Sequence, residues 1–217
     1  MSSGHGGESG ESRTDRLAAE IADLRARQDI LDCVARYARG ADRHDEEILL
    51  SALHPDALAR YGNAVHTMPE FAAELNAGHE SWTRAHTHNI TTHTCEITGD
   101  EAHTETYVLA GLAAADTPLV RLYGARYVDR LARRDARWRI LRRLVMIDWV
   151  LVGDGGVFDD PAFRARGYPA GSWDRSDPSY RRPFEPDGAR RSGDGPAQRR
   201  ERSGPGPPRI LRPPSGR

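Results

Sequence analysis

The apolar positions between Thr14 and Ala41 recur every three or four residues, which is the spacing of one face of an α-helix. Thr14 or Asp15 can cap the first turn, and Gly40 lies near the end. A long amphipathic helix is therefore predicted here. Its apolar positions are Leu17, Ile21, Leu24, Ile30, Leu31, Val34, Tyr37 and Ala38.

Two shorter helices and a short strand are predicted next. A helix over residues 45–53 stops at His54-Pro55, because a residue before proline disfavours helical backbone. Residues 56–61 are predicted as a short strand that ends at Gly62-Asn63. Pro69 begins a third helix that runs to about Trp82, since proline is tolerated in a first helical turn.

After residue 84 the pattern changes to long segments rich in threonine and β-branched residues, separated by turn sequences. Three helices followed by such a meander indicate an α+β fold, in which the N-terminal helices cover one face of a curved antiparallel or mixed sheet. Arg142-Arg143 is a candidate site for a β-bulge that bends the last strand. The predicted strands are His86–Ile97, Ala102–Ala113, Leu119–Leu131 and Trp138–Val152.

The chain divides into four segments by composition. Residues 1–13 are rich in Gly, Ser and Glu and are expected to be disordered, whereas 14–155 form the folded domain. Residues 156–184 hold six aromatic side chains, so this extension is expected to pack on the domain or on a partner subunit. Residues 185–217 are a Pro/Gly/Arg-rich tail with eight arginines and four acidic residues, which we interpret as a disordered, solvated extension.

Charge and hydropathy narrow the class of protein. Lys+Arg number 31 and Asp+Glu 32, a net charge of -1 that argues against a nucleic-acid binder. No apolar run reaches the roughly 18 residues that a bilayer span needs, and the N-terminus lacks the apolar segment of a secretory signal. Cys33 and Cys95 make no disulfide framework. The expectation is a cytoplasmic protein without a membrane partner.

Three sequence strings carry a resemblance to a known family. They are ARYARGADRHD at 35–45, HNITTHTCEI at 88–97 with GDEAHTETY at 99–107, and GARYVDR at 124–130 followed by Trp138. Together they resemble the SnoaL-like members of the nuclear transport factor 2-like superfamily over about residues 14–153. The resemblance implies a cone-shaped sheet that binds a small, largely apolar molecule, and assembly into a homodimer or homotrimer.

The same resemblance suggests catalytic residues. Dehydratases and dehydrochlorinases of this superfamily, scytalone dehydratase among them, have a catalytic Asp at the end of the first helix, where Asp42 lies. Their catalytic His, at the start of the first long strand, corresponds to His88. Asp42 would orient the imidazole and stabilise its protonated form, so that His88 takes a proton from the substrate. Tyr37, earlier on the helix, is a supporting donor.

Three further residues are candidates for substrate binding: His86, His93 and Tyr107. In a regular strand His86 and His88 share one face and His93 points the other way. His93 therefore reaches the same cavity only if a bulge intervenes.

A metal site is the alternative use of these histidines. His86, His88 and His93 cluster in sequence, with His103 nearby, and imidazoles on one strand face can hold zinc or iron. Members of the family do not usually use a metal, so no metal and no cofactor are expected.

At two positions this chain departs from the bile-acid dehydratases of the family, so their substrate does not carry over to it. Bile-acid dehydratases of this group use an arginine late in the last strand and an acid on the second, where this chain has Ile147 and Ala110. Arg142, Arg143 and Asp148 lie near the first position, but a shift by one residue points a side chain to the other face.

The hypothesis is a cofactor-independent lyase or isomerase of the dehydratase or polyketide cyclase type, acting on a small cyclic or polyketide-like molecule. Two alternatives stay open. The same fold serves as a non-catalytic ligand carrier, and it serves as a structural subunit resembling the small subunit of ring-hydroxylating dioxygenases.

Overall fold

The three main helices and five of the six strands follow one another in the predicted order. The computed structural model describes residues 13–185. The main helices are α1 (Arg13–Asp42), α2 (Glu46–Ser51) and α3 (Met68–Trp82), and the short helix α4 is Pro161–Arg164. The strands are β1 (Leu53–Tyr61), β2 (Ala64–Thr67), β3 (Thr83–Thr98), β4 (Glu101–Ala114), β5 (Leu119–Arg134) and β6 (Arg137–Asp154).

The chain forms two units, Met1–Arg181 and Arg182–Arg217. The first unit holds every helix and strand of the described residues, and residues 182–185 of the second have none. The predicted disordered segments, 1–13 and 185–217, lie outside the described residues except for Arg13 and Glu185. Between residues 13 and 185, none of the helices has the length and apolar content to cross a membrane.

The six strands form one mixed sheet in the order β2-β1-β6-β5-β4-β3. β1 runs parallel to β6, and all other neighbours are antiparallel. The α+β prediction is therefore confirmed. The sequence pattern missed β2, because its four residues are mostly exposed and show no alternation of apolar and polar positions. Gly62, with a φ of 57°, makes the turn that brings β2 back onto β1.

Helix α1 is buried only over its C-terminal part. Its buried face begins at Ala26 and Ile30, and α1 packs there against β3 and β6. Leu17, Ile21 and Leu24 share the same apolar periodicity but are 48%, 48% and 66% exposed. The periodicity thus predicted the helix correctly. Within one chain, however, the apolar positions in the first turns of the helix stay exposed. Assembly into a homodimer or homotrimer stays a prediction.

Two bulges change which side chains face the helices. In the β3–β4 pair the register shifts between Ile90 and His93. In the β5–β6 pair Arg130 faces Arg142 while Leu131 faces Ile140, which leaves Leu141 as the extra residue. The last strand therefore bulges one residue before the predicted position. Each extra residue reverses the inward and outward alternation beyond it.

Helices α1 and α2 approach each other closely at Gly40. A Cβ atom on Gly40 would lie 2.4 Å from the backbone nitrogen of Leu49, and Leu49 is fully buried. We expect Gly40→Ala to destabilise the fold, because α2 must move to relieve the overlap and overpacking costs about 1–3 kcal/mol. The measurement is the midpoint of thermal unfolding by circular dichroism.

Gly78→Ala on α3 is the matched control for this prediction. A Cβ atom on Gly78 would meet no atom within 4 Å, so only helix propensity applies. Alanine should then stabilise α3 by up to about 1 kcal/mol. If both substitutions raise the unfolding midpoint, the close approach at Gly40 is not the reason for glycine there.

Candidate active site

Asp42 and His88 form a two-point contact between the end of α1 and strand β3. Asp42 Oδ2 accepts a hydrogen bond from the His88 backbone N–H at 2.8 Å, and Oδ1 lies 2.7 Å from His88 Nδ1. The two side chains are 11% and 12% exposed. A carboxylate that accepts from Nδ1–H leaves Nε2 as the basic nitrogen of the neutral ring. Among the described residues, none forms a hydrogen bond with His88 Nε2.

Three more histidines surround this pair, and we call His44, His79 and His86 the histidine cluster. His44 lies in the turn between α1 and α2, His79 on α3 and His86 on β3. Ring centroids are 4.2 Å apart for His79 and His86, and 5.2 Å apart for His44 and His86. The His88 ring lies 5.7 Å from that of His79. The structure thus joins the predicted His86 and His88 to two histidines that the sequence did not single out.

The histidine cluster is held in its neutral form. Burial, together with the neighbouring rings of His86 and His88, lowers the pKa of His79 to about 3. Burial also lowers the pKa values of His44 and His86. At neutral pH these rings therefore offer lone pairs as well as N–H donors.

The segment after β6 covers the histidine cluster. The Trp173 ring stacks on His44 with centroids 4.4 Å apart, and it lies 5.3 Å from His86. The Tyr180 hydroxyl donates to Asp45 Oδ2 at 2.8 Å, and Asp45 also caps α2 through the Ile48 N–H. These contacts place an indole ring over the histidines.

A buried ion pair occupies another part of the inward sheet face. Arg143 and Asp129 form a bidentate contact with distances of 2.8 and 2.7 Å, and both side chains are fully buried. The guanidinium carbon lies 4.0 Å from the Tyr37 ring centre and 3.9 Å from that of Tyr127. Because of the bulge at Leu141, Arg143 faces inward.

Tyr37 belongs to this buried polar group rather than to the Asp42–His88 contact. Its hydroxyl lies 2.7 Å from the Tyr61 hydroxyl, and the Tyr37 residue is 1% exposed. Burial raises the pKa values of Tyr61 and Tyr127 well above the ordinary range, so both phenols stay protonated. Tyr37 thus lies on the inward side as predicted, with its hydroxyl already paired.

His93 faces inward because of the bulge in β3. Its Nδ1 lies 2.8 Å from the hydroxyl of Thr106, which is fully buried. Its Nε2 is buried without a hydrogen-bond partner, as is Nη1 of Arg143. Burial lowers the pKa of His93, so the ring is neutral and one nitrogen can still accept or donate a hydrogen bond.

Tyr107 is not brought to the site. On β4 its neighbours Thr106 and Val108 point inward, and Tyr107 is 44% exposed on the other face. Its ring lies 5.9 Å from the Arg126 guanidinium. The regular alternation of β4, which has no bulge against β5, accounts for this position.

The histidines that the sequence suggested as metal ligands do not converge on one point. His88 Nδ1 is engaged by Asp42 and His93 Nδ1 by Thr106, while His103 is exposed. His44, His79 and Arg143 were missed as site residues. The first two lie far apart in sequence, and only the Leu141 bulge turns the third inward, so no local pattern marks them.

The chain belongs to the SnoaL-like domain family. Residues 22–144 match that family, which is more than half of the chain. The resemblance drawn from the three sequence strings is thereby confirmed, and with it the nuclear transport factor 2-like fold.

Solved structures share the fold at low identity. The hexachlorocyclohexane dehydrochlorinase LinA-type3 from Novosphingobium barchaimii is 22% identical, with a TM-score of 0.58 over 63% of this chain and 95% of that one. A candidate scytalone dehydratase from Novosphingobium aromaticivorans is 18% identical, with a TM-score of 0.56 over 61% and 90%. A candidate aromatic ring hydroxylase from the same species is 19% identical, with a TM-score of 0.54 over 60% and 94%. No curated protein sequence matches this chain.

Proposed function

We propose that this protein is a lyase or isomerase in which His88 removes a proton from carbon in a small, largely apolar cyclic molecule. The observation that carries the proposal is the two-point contact of Asp42 with His88, at 2.8 and 2.7 Å. It holds the ring, assigns the Nδ1 proton to the carboxylate side and leaves Nε2 as the base. The contact is nearly buried, which strengthens the attraction between a carboxylate and an imidazolium.

The elimination breaks two bonds, the C–H bond and the bond to the leaving group, and forms one carbon–carbon double bond. His88 Nε2 takes the proton, and the electron pair of the C–H bond forms a carbon–carbon double bond. The bond to the leaving group on the adjacent carbon breaks, and that group departs with its electron pair as halide, or as hydroxide that takes the proton from the imidazolium and leaves as water. In an isomerisation the same proton returns to a different carbon.

Two buried donors can stabilise the negative charge that develops in such a step. Arg143 Nη1 and His93 Nε2 are both buried without a partner, and His93 Nε2 carries a proton when Nδ1 accepts from the Thr106 hydroxyl. A fixed donor in a site of low dielectric stabilises a developing anion more than water does. In this proposal Arg143 binds the charge that collects on the leaving group or on an enolate oxygen, and Tyr37 holds the guanidinium in place from one side.

The names of two structural neighbours point to the same class of reaction. A dehydrochlorinase and a candidate dehydratase share this fold, and each name describes the loss of a small molecule from a substrate. The low identities leave the substrate of this chain open, so the proposal specifies a reaction class and a type of molecule.

The experiment is an elimination assay on the purified full-length chain. Hexachlorocyclohexane is assayed by chloride release, and cyclic β-hydroxy ketones by the absorbance of the conjugated product, while ligand binding is measured by calorimetry. Turnover of a cyclic substrate by the wild type, and its loss in the Asp42→Asn/His88→Ala double variant, would support the proposal. Binding of these compounds without turnover would contradict it and favour the ligand-carrier alternative.

A further inference from the structure

The three members of the histidine cluster come from three separate elements and converge on one point. One ring nitrogen from each of His44, His79 and His86 can be chosen so that all three lie within 4.8 Å of one another. His79 and His86 are 8% and 6% exposed, and the Trp173 ring covers His44. The arrangement gathers several nitrogen lone pairs in a small, nearly dry volume.

Two nitrogens of the cluster have no partner within the protein. His44 Nε2 and His79 Nδ1 are buried, and neither forms a hydrogen bond with any described residue. A buried polar atom without a partner costs about 1–3 kcal/mol, so such atoms are rare in folded proteins. Two such atoms within one cluster of three rings point to a ligand that satisfies them.

His86 adds a third nitrogen lone pair to the cluster. Its Nε2 lies 3.1 Å from the Ala41 carbonyl oxygen, which can only accept, so the proton is on Nε2 and Nδ1 keeps a lone pair. The Thr83 hydroxyl lies 3.5 Å from that Nδ1, but it donates its proton to the His79 carbonyl at 2.7 Å. Metal-binding histidines commonly donate their other N–H to a backbone carbonyl in this way.

We propose that His44, His79 and His86 bind one divalent transition-metal ion of the zinc type. Three neutral imidazoles suit zinc, nickel, copper and cobalt, and they leave a fourth position for water or another ligand. Zinc binds nitrogen at about 2.0–2.1 Å, so the three nitrogens must close by small ring rotations around the ion. The low pKa values of the three rings keep them in the neutral form that binds metal.

This site is separate from the proposed general base. His88 keeps its contact with Asp42, and Nδ1 of His88 is not available to a metal. The bound ion would tie the turn after α1 to α3 and β3 and fix the position of Trp173 above them. The inference therefore stands or falls independently of the elimination reaction.

The test is metal titration of the tag-free, full-length protein after treatment with a chelator. We expect Zn²⁺ to bind with one ion per chain in calorimetry, and Ni²⁺ to quench the fluorescence of Trp173, which stacks on His44. The quenching should be lost in Trp173→Phe. His79→Gln should weaken Zn²⁺ binding by about 100-fold or more, since it removes a direct ligand.

His44→Asn is a second ligand variant, chosen because it should keep the fold. His44 has a φ of 48°, a left-handed conformation that asparagine tolerates, so the turn should keep its shape. This variant should retain the circular dichroism spectrum of the wild type and lose Zn²⁺ affinity. His103→Ala, at an exposed histidine of β4, is the control and should bind as the wild type does.

Two results would overturn the proposal. The first is a wild-type protein that binds no Zn²⁺, Ni²⁺ or Co²⁺ more tightly than about 1 mM. The second is Zn²⁺ binding that persists in folded His44→Asn and His79→Gln, or that falls equally in His103→Ala. Stoichiometric binding that depends on the cluster and not on His103 would establish the site.

Discussion

His88→Ala is expected to lower kcat/KM for elimination by about 100- to 10,000-fold, the usual contribution of a positioned general base. The loss should lie mainly in kcat, because the proton transfer itself is removed. The variant should still fold, since the His88 ring is near the edge of the buried region and its backbone N–H keeps Asp42 as acceptor. The measurement is steady-state kinetics on the best substrate of the elimination panel.

Asp42→Asn tests the role of the carboxylate in the contact between Asp42 and His88. An amide can accept one hydrogen bond from His88 but has no charge to stabilise the imidazolium, so a large fall in kcat is again expected. His103→Ala and Asp100→Asn replace exposed residues of the same types and should leave kcat unchanged. Turnover at wild-type rates in both Asp42→Asn and His88→Ala would remove this pair from the mechanism.

Asp129→Asn is expected to cost about 3–5 kcal/mol of folding free energy, because it leaves the Arg143 guanidinium charged and unpaired in the interior. Both side chains are fully buried, and the contact is bidentate at 2.8 and 2.7 Å. In a domain of this size each kcal/mol lowers the unfolding midpoint by roughly 2–4 °C. The measurement is chemical denaturation together with the thermal midpoint.

The exposed pair of Arg133 and Asp100 provides the comparison. Their side chains are 46% and 68% exposed, so Asp100→Asn should leave the midpoint close to that of the wild type. Replacing both buried partners, with Asp129→Leu and Arg143→Met, should recover much of the lost stability, since no unpaired charge then remains. Equal effects of Asp129→Asn and Asp100→Asn would show that burial of the pair carries no energetic consequence.

Most of the secondary structure could be predicted because local periodicity and turn chemistry agree with it. The helical spacing after Thr14 and the alternation in 102–113 correspond to α1 and β4. Gly99, with a φ of 61°, makes the predicted turn between β3 and β4. The β2 strand escaped prediction because an exposed strand of four residues is stabilised by pairing with β1, and pairing leaves no local signature.

Of the candidate site, only the residues that the family resemblance indicated could be predicted. That resemblance pointed to Asp42 and His88, which are 46 positions apart in the chain and form hydrogen bonds in the fold. It did not single out His44, which lies two residues after Asp42 in the same string, or His79, which lies outside the three strings. Tyr107, which the sequence analysis grouped with the substrate-binding candidates, lies on the outward face of β4.

Composition, periodicity and turns were thus enough to establish an α+β domain and the order of its elements, because these depend on contacts between near neighbours. The inward placement of His93 and Arg143 depended on two single-residue bulges, and the histidine cluster depended on a turn, a helix and a strand meeting at one end of the sheet. A one-residue insertion in a strand reverses every side chain beyond it. Such an insertion is stabilised by the neighbouring strand, so its exact position becomes visible only once the strands are paired, as the bulge at Leu141 rather than at Arg142-Arg143 shows.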